Sequence, residues 1–125
     1  MVEVICDTSF LIHLATNRIK NLSSLEVEIG RVQFVVPDTV VAELTKLSDL
    51  DDKKTVALAT LDFIKSYKIM KLGGSFADDI VVSYVKKHGG IVATMDRELK
   101  AAIKKEGGSV ISVANNKVIL ESSKV

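Results

Sequence analysis

Tryptophan is absent from this 125-residue chain, proline and cysteine occur once each, and aromatic residues make up only 5%. Each shortage excludes something. A lone cysteine, Cys6, cannot close an internal disulfide. Set in an apolar run, it reads as a small core residue in a reducing compartment, so the cytoplasm is the expected location. No apolar run reaches the ~18 residues that a membrane span requires, and Met1 to Asp7 does not have the basic-then-apolar build of a signal peptide, so no membrane association is expected. With so few aromatics, base stacking of the kind used by single-strand binders has weak support. Neither sign of charge dominates: 17 basic and 16 acidic residues leave +1. That is no global signature of nucleic-acid binding, so any such surface must be local.

What is present is a chain that can bury a core. Hydrophobic residues make up 47% and glycines number seven, which points to one globular domain over residues 1–125. Val2 to Cys6 reads as a strand ending at Asp7, and Phe10, Leu11, Leu14 and Ala15 then recur at helical spacing. Asn21 to Ile29 reads as a second helix stopped by Gly30. Val32 to Val36 is a strand closed by Pro37, and the helix after it carries Val40, Val41, Leu44 and Leu47. Asp52 to Ser66 reads as a long apolar helix, expected in the core, although its surface could instead serve a homodimer. Tyr67 to Leu72 is read as a strand, Phe76 to His88 as a helix, Ile91 to Thr94 as a strand and Asp96 to Glu106 as a helix. Val110 to Val113 and Lys117 to Leu120 flank Asn115-Asn116, a pair that tolerates positive φ and suits a C-terminal β-hairpin. Strands alternating with helices imply an α/β fold, a three-layer α/β/α sandwich around a mostly parallel sheet. The working crevice of such a sheet lies beyond the carboxyl ends of its strands.

Four acids fall where that crevice would be. Asp7 and Asp96 follow strands, Glu43 lies about two turns into the helix after the second strand, and Asp79 opens the helix over 76–88 beside Asp78. Carboxylates brought together repel, and divalent cations remove the problem; oxygen ligands of this kind suit Mg²⁺ or Mn²⁺ over Zn²⁺. Each acid also has a plain alternative. Asp7 and Asp96 could cap helices, Glu43 could pair with Lys46, and Asp78 and Asp79 could complement a helix N-terminus. Position alone supports a metal-binding α/β domain and no more.

Four segments carry the reading further: Asp7-Thr8-Ser9-Phe10-Leu11, Val36-Pro37-Asp38-Thr39-Val40-Val41-Ala42-Glu43-Leu44, Phe76-Ala77-Asp78-Asp79-Ile80-Val81 and Val92-Ala93-Thr94-Met95-Asp96-Arg97-Glu98-Leu99-Lys100. In this order and spacing, from Val2 to about Val113, the chain resembles the PIN-domain family, and its last two segments resemble the stand-alone, ribosomal-RNA-processing branch more than the VapC toxins. The resemblance implies that Asp7, Glu43, Asp79 and Asp96 form an acidic quartet for Mg²⁺ or Mn²⁺, with Asp78 as a further candidate ligand. Helical register favours Asp79 of the adjacent pair. It also implies that Thr8, Ser9 and Thr94 are hydroxyls that orient a carboxylate or a water.

The activity implied is hydrolysis of RNA phosphodiester bonds to 5′-phosphate and 3′-hydroxyl ends. His13 and His88 are not needed for it and read as structural or surface residues. Lys46 and the helix face Arg97, Lys100, Lys104 are the candidate RNA-binding cations, whereas Lys86 and Lys87 read as solubilising charge. Implied partners are RNA, a second copy in a homodimer, and an antitoxin or a ribosome-assembly protein. Two alternatives stand beside this reading: a toxin ribonuclease paired with an antitoxin, and an inactive module that binds RNA or protein without cutting. A receiver-like phosphoacceptor domain is disfavoured, because only Asp7 follows the first strand and no lysine follows the last core strand.

Overall fold

Successive side chains of a strand point to opposite faces, and the buried residues sort by that rule. Val4, Cys6, Val36, Ala93 and Ile111 join one apolar cluster, while their neighbours Ile5, Val35, Val92 and Val110 join another. A sheet buried on both faces needs helices on both, and the computed structural model, which describes residues 2–17, 30–73 and 77–121, has them. The chain runs β1 (Val2–Cys6), α1 (Thr8–Thr16), β2 (Val32–Pro37), α2 (Asp38–Leu47), α3 (Lys54–Phe63), β3 (Lys68–Met70), α4 (Ala77–His88), β4 (Ile91–Ala93), α5 (Arg97–Lys105), β5 (Ser109–Ala114) and β6 (Lys117–Glu121). The sheet order is β3-β2-β1-β4-β5-β6. The first five strands are parallel, and β6 returns antiparallel to β5 through Asn115 and Asn116 at φ 53° and 60°. The expected three-layer α/β/α sandwich and the C-terminal hairpin are both present.

Phe10, Leu11 and Leu14 of α1 and Val40 and Leu44 of α2 fill the first cluster. Val81 and Val85 of α4 and Leu99 and Ile103 of α5 fill the second. Two expectations change. The helix expected over 52–66 is the shorter α3, and only one stripe of it is core: it packs on α1 and α2, burying Ala57, Thr60 and the following Ile64, while Val56, Leu58 and Phe63 stay 39%, 48% and 41% exposed. A helix laid over other helices needs only a narrow i, i+3, i+7 stripe. The strand expected over Tyr67–Leu72 pairs with β2 only at Lys68–Met70. The helix expected over Asn21–Ile29 lies outside the described residues.

Candidate metal centre

β1 lies at the middle of the sheet, between β2 and β4, and these three strands end on the same crest. Asp7 continues from β1, its backbone N–H donating to Ala93 O at 2.9 Å. It is buried (6% exposed) and occupies the N-cap position of α1 without making a side-chain cap bond, so the plain capping role is not the one it fills. Instead its Oδ2 accepts from Thr94 Oγ1 at 2.8 Å and from Ser9 Oγ at 3.0 Å. Its Oδ1 accepts from no donor among the described residues. Ser9 and Thr94 are themselves fixed: Met95 N donates to Ser9 Oγ and Asp96 N to Thr94 Oγ1, each at 3.1 Å.

The other acids reach the same crest. Thr8 Oγ1 donates to Glu43 Oε2 at 2.9 Å, tying α2 to the residue beside Asp7, and no Glu43–Lys46 ion pair forms. Asp96 does cap α5, its Oδ1 accepting from Glu98 N at 2.8 Å and Leu99 N at 3.2 Å, which leaves Oδ2. The three expected hydroxyls, Thr8, Ser9 and Thr94, thus all bond to acids or to the backbone that carries them.

The adjacent pair on α4 divides. Asp78 lies three and seven residues before the buried Val81 and Val85, so it rides the stripe that faces the sheet. Burial, together with the charges of Asp7, Asp96, Glu43 and Asp79, pushes its carboxyl up to about 6. Much of the side chain is exposed, so the neighbouring charges are the informative part: Asp78 sits in the field of the other acids. Asp79 is turned one residue further round and lines a groove with Leu72, Ser83 and Lys87. The helix face read from sequence held Ile80 and Tyr84 together with Val81 and Val85; in the fold the two valines are buried and the other two only partly so. A further residue escaped the sequence reading: Thr39, one turn before Glu43, has a buried Oγ1 with no hydrogen-bond partner among the described residues.

The donor set fits a hard divalent cation: carboxylates and hydroxyls, a free Oδ1 on a buried Asp7, and, among the described residues, no ion pair on any of the five acids. Among the described residues, no three such side chains are gathered tightly enough to hold one ion as they stand. The cations expected to meet RNA are also divided. Lys46 and Arg97 are exposed and without ion pairs among the described residues. Lys104 and Lys100 instead turn to Glu121, at 2.6 and 3.8 Å, so α5 does not present the three-cation face its spacing suggested. Cys6 is fully buried, and burial followed by the charge of Asp7 raises its thiol well above the ordinary range, as befits an inert core residue.

A family model described as a PIN-like domain matches residues 4–116. Ribonuclease VapC4 of Methanocaldococcus jannaschii is 29% identical, over 94% of this chain and 94% of its own length. The solved structure of the PIN domain endonuclease Utp24 superposes with a TM-score of 0.76 at 31% identity, covering 96% of this chain and 91% of its own. A domain of a functionally unknown protein from Methanocaldococcus jannaschii shares the fold at 18% identity, with a TM-score of 0.59 over 91% of this chain and 92% of its own.

Proposed function

Because the chain belongs to the PIN-like domain family, we propose that it is a divalent-metal-dependent endoribonuclease that hydrolyses RNA phosphodiester bonds to 5′-phosphate and 3′-hydroxyl ends. The single observation that carries this reading is the convergence of Asp7, Glu43, Asp78 and Asp96 on one crest, with no ion pair to any of them among the described residues. The nuclease activity is supported by a relative named as a ribonuclease and a structural neighbour named as an endonuclease.

Asp7, Glu43, Asp78 and Asp96 would hold Mg²⁺ or Mn²⁺, with Asp79 beside them. When bound, such an ion lowers the pKa of water and offsets charge on the phosphate oxygens. The protein's own residues set the geometry. Thr94 and Ser9 hold Asp7 through Oδ2 and leave Oδ1 available as a ligand. Thr8 fixes Glu43, and Asp96 is anchored by the first amides of α5. The exposed Lys46 and Arg97, close in sequence to Glu43 and Asp96, would meet RNA phosphates. Neither His13 nor His88 takes a step, so 2′,3′-cyclic ends are not expected.

The test is incubation with single-stranded and structured RNA in Mn²⁺. Cleavage that EDTA and Asp7→Asn both abolish supports the reading; intact RNA under all conditions leaves the non-cutting module. As to setting, the segments Ala77-Asp78-Asp79 and Ala93 to Lys100 favour ribosomal-RNA processing, whereas the likeness to VapC4 favours a toxin with an antitoxin partner. Growth arrest on expression, relieved by Asp7→Asn, would select the toxin.

A further inference from the structure

Two grooves run along one flank of α4 and meet at a pair of rings. The first, about 360 Å³, is lined by Leu72, Asp79, Ser83, Tyr84, Lys87 and His88. The second, about 410 Å³, is lined by Glu3, Ile5, Gln33 and Met70 and shares Tyr84 and His88 with the first. The two rings lie with centroids 4.7 Å apart and 40° between their planes. Tyr84 packs against the second core cluster, which holds it still, while His88 is exposed at the helix end.

Resting on the nuclease reading above, we propose that this continuous groove is the track for single-stranded RNA running from the acid cluster, with one base stacked on the Tyr84–His88 pair. The first groove begins at Asp79, beside Asp78, so its upper end adjoins the acids. From Asp78 to Tyr84 the helix rises about 9 Å. Charge suits a polyanion at the lower end. Lys87 lines the groove with the exposed Lys86 beside it, and the acid there, Glu3, is already paired with Lys68 at 2.7 Å. A fixed aromatic plane beside lysines is what sequence-tolerant recognition of a single strand uses. Lys87, read from sequence as plain solubilising charge, takes a role here.

The test measures kcat and KM in Mn²⁺ on a random-sequence pool of single-stranded RNA, for the wild type, Tyr84→Leu with His88→Ala, and Tyr84→Phe. Loss of the stack should raise KM by about 5- to 150-fold, the range expected for one base, with kcat holding within twofold. Tyr84→Phe should keep the wild-type KM, and an unchanged melting temperature in the double variant excludes misfolding. If the wild type cuts the pool and the double variant has the same KM, the track is overturned while the nuclease stands, and a protein partner becomes the occupant of the groove. A fall in kcat at constant KM also overturns it. A wild type that neither binds nor cuts removes the nuclease reading itself.

Discussion

Asp7 is held by two hydroxyls on one oxygen, and that arrangement makes the hydroxyls measurable. Thr94→Val removes the 2.8 Å bond without changing bulk and should lower activity and Mn²⁺ affinity by roughly 10- to 100-fold, as loss of a ligand-orienting partner does. Titration calorimetry with Mn²⁺ checks it. Asp78→Asn should lower cleavage far more than Asp79→Asn, because only Asp78 sits on the stripe above Val81 and Val85. Equal losses would mean that both acids serve the centre. Asp38 is a contrasting acid. Its Oδ1 accepts from the amides of Leu72, Gly73 and Thr39, and those bonds, led by Leu72, lower its pKa. A carboxyl whose folded pKa lies below its unfolded value contributes stability above the unfolded pKa, and the contribution disappears as pH falls through the folded one. Acid unfolding of the wild type should therefore steepen below about pH 4, and Asp38→Asn should flatten that limb in a pH series of melting temperatures.

At the scale of elements, α4 and α5 meet at Gly108. A Cβ there would lie 2.6 Å from Val85 Cγ1 and 2.8 Å from Ile103 Cγ2, so Gly108→Ala should destabilise by about 1–3 kcal/mol, read as a lower denaturation midpoint. The strands were the legible elements. Val2 to Cys6, Val32 to Val36 and Ile91 to Ala93 are short and mostly apolar, interrupted only by Glu3 and Gln33, as strands covered on both faces tend to be. The bounds and burial of α3 were not legible, because an apolar helix that lies on other helices has the same local pattern as one that lies on a sheet. The pairing of Lys100 and Lys104 with Glu121 was hidden for a related reason. The acid arrives on β6, and no local spacing announces it. The acids themselves were readable as a set, since strand ends are identifiable. The choice between Asp78 and Asp79 hangs on a 100° turn of helix, and the burial of Val81 and Val85 is the reason Asp78 is the one proposed.

For the molecule as a whole, the acidic crest is the part most open to its surroundings. Mn²⁺ at about a hundred times its dissociation constant should stabilise the fold by about 2.7 kcal/mol, seen as a rise in melting temperature that Asp7→Asn removes. RNA affinity should fall with salt, and Lys46→Ala and Arg97→Ala should each reduce that slope by about one. The order of the strands has a consequence for synthesis. β1 takes the centre of the sheet, and one of its two neighbours, β4, is not made until residue 91. A nascent chain can lay β2 and β3 against β1, but the opposite edge of β1 stays bare, and Thr94 and Asp96 do not yet exist. A chain stalled before that point holds Asp7 and Glu43 without one of the two hydroxyls that aim Asp7, so the proposed centre cannot be complete until synthesis has passed residue 96.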